Sequence, residues 1–274
     1  MLDYADKLTR TPALMRDRDV IALRAHGLGD RDILDVNQVV AYFAYVNRVA
    51  DGLGVTIDDY AAAEHAAIET ATKEPDSIEP TPPIEPPSGS LVRMLEKADA
   101  PLLTQPFYAG GDPGPITASM AHVPELVEVA LPFIGAVLSP SAIDWRTKEI
   151  VIVRTSSLMQ CRYCIESHTP VAIDSGLSHA QVHALRDEQS IASAFTDDRD
   201  LVLIEWTDAV ATGPGAVPVN AARNAARLFT EAEIVELTLV VGVTLLLNRY
   251  ATSLGLPVDP STIERLAREG FLRS

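Results

Sequence analysis

Two cysteines and a histidine lie close together in residues 160–171, QCRYCIESHTPV. Cys161 and Cys164 are the only cysteines in the 274-residue chain, and His168 follows four positions after the second. On a helix these three positions are spaced i, i+3 and i+7, so their side chains share one face. Cysteines in a first helical turn lie at the positive end of the helix dipole, which stabilises a thiolate. The segment therefore predicts a reactive cysteine pair, with His168 as its base.

Glu149 is the fourth candidate for the same site. The sequence predicts a helix over residues 147–158, a tight break near residues 159–160, and a second helix that opens at the cysteines. Glu149 then lies about 13 Å before the break and His168 about 11 Å after it, so antiparallel packing brings them level. A carboxylate there would orient the imidazole. The alternative is a surface acid paired with a neighbouring cation, but the apolar run IVIV that follows favours burial.

The two cysteines are expected to have different roles. His168 lies one turn beyond Cys164, whereas Cys161 is expected nearer an exposed helix start. We therefore predict that Cys164 attacks an oxidising substrate and Cys161 resolves the product, although in the thioredoxin arrangement the first cysteine attacks. Pro170 cannot donate the helical hydrogen bond to Glu166, which predicts a kink or a new helix start after the histidine.

Composition narrows the possible functions. Two cysteines cannot form the disulfide framework of a small secreted domain, and the N-terminus has no apolar signal-peptide core, so we expect a reducing cytoplasm. The formal charge of −16 repels phosphate backbones and anionic lipids, which argues against nucleic-acid and membrane partners. The longest apolar stretch, residues 234–247, contains Glu236 and is shorter than the roughly 20 residues of a membrane span. It predicts a buried core helix.

The chain is expected to be all-α, because apolar spacing is helical on both sides of a proline-rich linker. Residues 75–87 contain six prolines and three acidic residues, which favours extended, solvated backbone. The predicted organisation is a helical half-module over residues 1–64, a linker over 65–92, a catalytic domain over 93–258 and a helical tail over 259–274.

The half-module resembles part of the catalytic domain. Sliding the N-terminal sequence by 201 positions gives eight identities within 22 positions, among them an Asn-Arg pair, Asn47-Arg48 with Asn248-Arg249. Residues 1–56 thus repeat residues 203–257 but lack the cysteine half of the module. We interpret the Asn-Arg pairs as helix-end hydrogen-bonding groups. Because the helices of both copies are apolar, we expect the N-terminal helix to dock onto the catalytic domain of the same chain or of another chain. We therefore predict a homo-oligomer.

The spacing Glu149, eleven residues, Cys161-Arg-Tyr-Cys164, three residues and His168 resembles the E-x11-C-x-x-C-x3-H signature of the alkylhydroperoxidase D-like branch of the carboxymuconolactone decarboxylase family. The resemblance covers residues 91–257. It implies an all-helical bundle, an oligomeric thiol peroxidase, and these four residues as the catalytic set. It further implies a peroxide substrate and a dithiol reductant, such as a dihydrolipoyl or thioredoxin-like protein, with neither cofactor nor metal.

Three other functions compete with this interpretation. Structural zinc needs four ligands, and the cysteine segment supplies three. His179 and His183 are spaced to chelate a metal, but on a short helix such residues are more often solvent-facing. The lactone decarboxylase branch uses no cysteine pair, and a binding module could use the pair only as a redox-sensitive switch. His122 either lies near the site or caps a helix.

Overall fold

The computed structural model describes residues 1–55, 89–187, 189–213 and 215–272. Within these ranges the chain forms helices, turns and loops, and no residue lies in a β-strand. The predicted all-α class is confirmed. The predicted linker falls outside the described residues except at its end, where the Leu91 N–H donates to the carbonyl of Leu254 at 2.9 Å.

Thirteen α-helices and two short 3-10 segments, Pro12–Leu14 and Leu102–Tyr108, follow one another in the described ranges. The α-helices are α1 (Leu2–Arg10), α2 (Asp17–Ala25), α3 (Asp30–Leu53), α4 (Gly114–Met120), α5 (Pro124–Leu138), α6 (Trp145–Leu158), α7 (Arg162–Asp174), α8 (His179–Leu185), α9 (Ile191–Ala194), α10 (Asp198–Thr212), α11 (Val219–Leu228), α12 (Glu231–Leu254) and α13 (Pro260–Arg268).

The two longest helices, α3 and α12, have 24 residues each and end in the same way. Gly54 and Gly255 adopt left-handed backbone, with φ of 64° and 61°, which a residue with a side chain rarely tolerates. At the other end of α12, Thr230 Oγ1 accepts from the Glu233 N–H, and the Glu233 carboxylate accepts from the Thr230 N–H. This capping box satisfies two helix-end groups, as the sequence predicted.

Helices α3 and α12 pack closely. Two of their contacts involve equivalent positions of the two sequence copies, with the roles of the helices exchanged. A Cβ on Gly52 would lie 2.7 Å from Cγ2 of Thr238, so only glycine allows this approach. Asn37 Nδ2 donates to Ser253 Oγ. The 201-position shift places Asn37 on Thr238 and Gly52 on Ser253, so these two contacts are equivalents. The pair of helices therefore has an approximate two-fold relationship.

Helix α12 is the central element of the core. It packs against α3, α6, α7 and α10, and most of its second half is buried. The whole helix is long and apolar enough to cross a membrane, but 67% of its most apolar window is buried by other helices. The sequence predicted this buried core helix from the apolar residues 234–247, and the helix extends beyond them at both ends. The tail helix α13 lies against α7, where Arg265 holds Asp174 in a two-bonded ion pair.

Candidate active site

A helical hairpin carries all four predicted site residues. Helix α6 ends at Leu158, the chain turns through left-handed Gln160 (φ 53°), and α7 begins at Arg162. The predicted break is confirmed, although α6 begins at Trp145, two residues earlier than expected, because Asp144 caps it through the Thr147 N–H. We call α6 and α7 together the cysteine hairpin. The turn between the two helices places the cysteines beside α12.

The two cysteine sulfurs lie 2.8 Å apart, and neither is in a disulfide. Cys161 is the cap residue of α7, and its Sγ accepts from the Cys164 N–H at 3.4 Å. The expectation that Cys161 lies at an exposed helix start is wrong. Cys161 has no exposed surface, while Cys164 is 5% exposed, because the helix start faces the core rather than solvent. The sulfurs are close enough to form a disulfide with little movement.

The hydrogen bonds of the pair favour ionisation of Cys161. Burial opposes the charge, but hydrogen bonds from Cys164, Thr252 and the Asn248 amide outweigh it and lower the pKa of the Cys161 thiol. Burial raises the pKa of Cys164 well above its usual value, and its hydrogen bond to the neighbouring sulfur adds to this rise. When the pair loses its first proton, the negative charge therefore lies on Cys161. The position of Cys164 one turn before His168 had suggested Cys164 as the thiolate instead.

Glu149 and His168 meet across the cysteine hairpin as predicted. His168 Nδ1 lies 3.0 Å from Glu149 Oε2 and 3.3 Å from Oε1. Glu149 is 3% exposed, and the imidazole is about one quarter exposed. With Nδ1 donating to the carboxylate, the lone pair of the ring lies on Nε2, which is the atom that would take a proton. A carboxylate in this position fixes the orientation of the imidazole.

The alternative of a surface Glu149 paired with a neighbouring cation is wrong. Arg146 makes a two-bonded ion pair with Asp200, at 2.9 and 2.6 Å. Lys148 is itself buried, donates to the carbonyl of Val137 and pairs with Glu236. Both candidate cations are thus engaged elsewhere, and the imidazole is the partner of the Glu149 carboxylate.

Two polar residues of α12 complete the surroundings of the sulfurs. Asn248 is completely buried six residues before the helix end, and its Nδ2 donates to Ser156 Oγ at 3.1 Å. Thr252, one turn further along α12, contributes to lowering the pKa of the Cys161 thiol. The interpretation of Asn248 as a helix-end group is therefore wrong, although Arg249 does bond to a carbonyl of its own helix, that of Leu245. The repetition of the Asn-Arg pair in both sequence copies was the feature of the sequence that could have indicated a special role for Asn248.

Pro170 does not interrupt the cysteine helix. Helix α7 runs without a break from Arg162 to Asp174, so the predicted restart is wrong. Proline removes one backbone hydrogen bond, but the helix is held by packing because Pro170 and Ala172 are both buried. Thr169 Oγ1 also donates to the carbonyl of Ile165 at 2.7 Å.

The other candidate histidines, His122, His179 and His183, contact groups other than the sulfurs. His183 stacks on Phe271 at 4.3 Å between ring centroids, and His179 meets the same ring edge-on at 5.2 Å, so both hold the C-terminal tail. His122 Nε2 contacts the carbonyl of Arg93 at 2.8 Å. In the described ranges, no three His, Cys, Asp or Glu side chains are grouped so that they could hold a metal ion.

Comparison with known proteins supports the fold and the helical region of the site. The sequence profile of the carboxymuconolactone decarboxylase family matches residues 124–205, which include the whole cysteine hairpin. No curated protein matches the chain. A peroxidase-related protein with an alkylhydroperoxidase AhpD core, from Ralstonia eutropha JMP134, has 16% identity and a TM-score of 0.56, covering 63% of this chain and 94% of that one.

Two other solved structures are similar. A cysteine-to-alanine variant of the debrominase Bmp8, in complex with 2,3,4-tribromopyrrole, has 19% identity and a TM-score of 0.54, covering 66% of this chain and 98% of that one. A protein of unknown function from Agrobacterium tumefaciens has 23% identity and a TM-score of 0.46, covering 51% and 96%. The Ralstonia protein and Bmp8, at TM-scores of 0.56 and 0.54, share the helical fold with this chain.

Proposed function

We propose that the cysteine hairpin, which lies within the residues that match the sequence profile of the carboxymuconolactone decarboxylase family, is the active site of a thiol-dependent hydroperoxide reductase. The observation that supports this most is the placement of two sulfurs 2.8 Å apart on the helix whose His168 is oriented by the buried Glu149. A reactive thiol, a resolving thiol and an oriented base are the groups that a two-cysteine peroxidase needs.

The proposed reaction converts a hydroperoxide and two thiols into an alcohol, water and a disulfide. One thiolate attacks the outer peroxide oxygen, the O–O bond breaks, and the departing alkoxide takes a proton and leaves as the alcohol. The cysteine is then a sulfenic acid. The second thiol attacks its sulfur, the S–O bond breaks, and hydroxide leaves as water. His168 accepts the first proton that the thiol pair releases and gives it to the departing alkoxide.

Cys164 is the proposed attacking residue, although Cys161 is the better thiolate. A singly ionised pair shares one proton across 2.8 Å, and transfer of that proton to Cys161 leaves the charge on Cys164. Only Cys164 has any exposed surface, so a peroxide reaches its sulfur first. Cys161 then carries the proton that it gives up when it resolves the sulfenic acid.

A dithiol protein would return the disulfide to the reduced form by thiol–disulfide exchange. A dihydrolipoyl or thioredoxin-like protein in a reducing cytoplasm has this chemistry, and we propose one as the electron donor. The enzyme itself is proposed to be a homo-oligomer.

The test is consumption of hydrogen peroxide and of an alkyl hydroperoxide by the full chain, with dihydrolipoamide as reductant. The double variant Cys161→Ser, Cys164→Ser should lose all activity above background. A lactone decarboxylase would need neither sulfur, so peroxide inertness combined with cysteine-independent lactone turnover would overturn the proposal. Peroxide inertness combined with reversible disulfide formation would instead indicate a redox-sensitive binding module.

A further inference from the structure

Asn248 is the polar side chain that links the core helix to the cysteine hairpin. It has no exposed surface, and its amide donates to Ser156 Oγ at the end of α6. Ser156 is equally buried, and its backbone carbonyl accepts the Cys161 N–H at 3.0 Å. A chain of two hydrogen bonds therefore runs from α12 through Ser156 to the first cysteine.

The same amide also reaches the sulfurs. Burial raises the pKa of both thiols, whereas the nearby Asn248 amide lowers the pKa of each and so favours the charged form of either sulfur. An amide N–H is a donor only, so it stabilises a thiolate more than a neutral thiol. The Oδ1 atom of Asn248 is buried without a hydrogen-bond partner among the described residues, which costs free energy. A buried polar side chain that lowers the stability of the fold in this way is expected to serve a function.

The sequence repeat contains a natural comparison for this residue. Asn47 occupies the equivalent position on α3, in the copy that has no cysteine hairpin, and its side chain is exposed. The two asparagines thus share residue type and helix register, and they differ in whether a sulfur pair lies beside them. Substitution of Asn47 is a matched control for substitution of Asn248.

We propose that Asn248 is a positioning residue of the redox site, which holds the cysteine hairpin against α12 and stabilises the thiolate of the pair. This inference rests on the proposed function only in assuming that the pair reacts as a thiolate. It does not require that the oxidant be a peroxide, because the amide acts on the sulfurs themselves.

The experiment measures the pH dependence of iodoacetamide alkylation of the full reduced chain, followed by mass spectrometry. Asn248→Leu keeps a similar volume but has no donor, so we expect the thiolate fraction at pH 7 to fall about tenfold. Asn248→Asp is isosteric and places a carboxylate beside the sulfurs, so the alkylation curve should move to still higher pH. Asn47→Leu should overlay the wild-type curve.

A purely structural role would lower the unfolding temperature of both Asn248 variants without moving their alkylation curves, and that result would overturn the inference. If Asn248→Leu does not fold, an unshifted curve for the isosteric Asn248→Asp would overturn it equally. The outcome is separate from that of the proposed function. A wild-type chain that is inert towards peroxide, but whose alkylation curve moves in the Asn248 variants, would support this inference alone.

Discussion

His168 Nδ1 lies 3.0 Å from Glu149 Oε2, although the two residues are nineteen positions apart in the chain, with a helix break between them. The carboxylate comes from buried α6 and the imidazole from the partly exposed face of α7. Removing an oriented base costs about 10²-fold or more in rate. His168→Ala should therefore slow peroxide-driven oxidation of the pair by about this factor, measured by stopped-flow intrinsic fluorescence or by quenched alkylation.

Glu149→Gln should have the same effect in weaker form. A glutamine can still accept from the imidazole, but it cannot stabilise the positive charge that forms when the ring takes a proton. We expect a rate between those of the wild type and His168→Ala. The double variant should be little slower than His168→Ala alone, because residues that act as one unit are not additive. Full additivity, or a wild-type rate for Glu149→Gln, would contradict the dyad.

The order of the cysteines can be read from two matched substitutions. In Cys161→Ser we expect one equivalent of peroxide to leave a sulfenic acid on Cys164, trapped with dimedone and located by mass spectrometry. Cys164→Ser should react far more slowly, because the remaining sulfur has no exposed surface. If Cys164→Ser instead consumes peroxide at the wild-type rate, the lowered pKa of Cys161 decides the order and the roles are reversed.

The wild-type pair should lose two hydrogens as its only stable change under mild peroxide. The sulfur separation of 2.8 Å makes resolution faster than a second oxidation, so sulfinic acid should not accumulate. Intact mass after blocking free thiols measures this directly, and the reduced protein should regain both thiols with a dithiol. Stoichiometric zinc in the reduced protein would point to the metal site instead.

Much of the site could be predicted from sequence because helix geometry converts spacing into distance. The break at residues 159–160 and the 3.6-residue period placed Glu149 level with His168 without any tertiary information. The burial of Cys161 could not be predicted, because it depends on α12, which lies far along the chain. Asn248 was misassigned for the same reason, since its helix position alone does not reveal that a sulfur pair lies opposite it.

The close approach of α3 and α12 predicts an asymmetric response to two glycine substitutions. A Cβ at Gly52 would lie 2.7 Å from Thr238, so Gly52→Ala should lower the free energy of unfolding by about 1–3 kcal/mol through overpacking. Gly135, within α5, has no atom within 4 Å of its Cβ position, so Gly135→Ala should raise it by about 0.5–1 kcal/mol. Urea unfolding of both variants measures this, and equal effects would contradict the packing.

The exposed apolar face of α3 predicts self-association. Val39, Tyr42 and Phe43 are each more than half exposed and line an apolar cleft of about 510 Å³ with residues of α5, among them Phe133. Their equivalents on α12 after the 201-position shift, Val240, Val243 and Thr244, are buried. An apolar face of this kind is rarely left in water, and we expect a second copy of the chain to cover it.

Sedimentation velocity at micromolar concentration should therefore show an oligomer for the wild type. Phe43→Asp places a charge in the cleft and should shift the chain towards monomer. Val219→Asp is the matched control, because Val219 is 68% exposed on α11, outside the cleft, and its substitution should leave the oligomer intact. A monomeric wild type, or dissociation by both variants alike, would show that the α3 face is not where the copies meet.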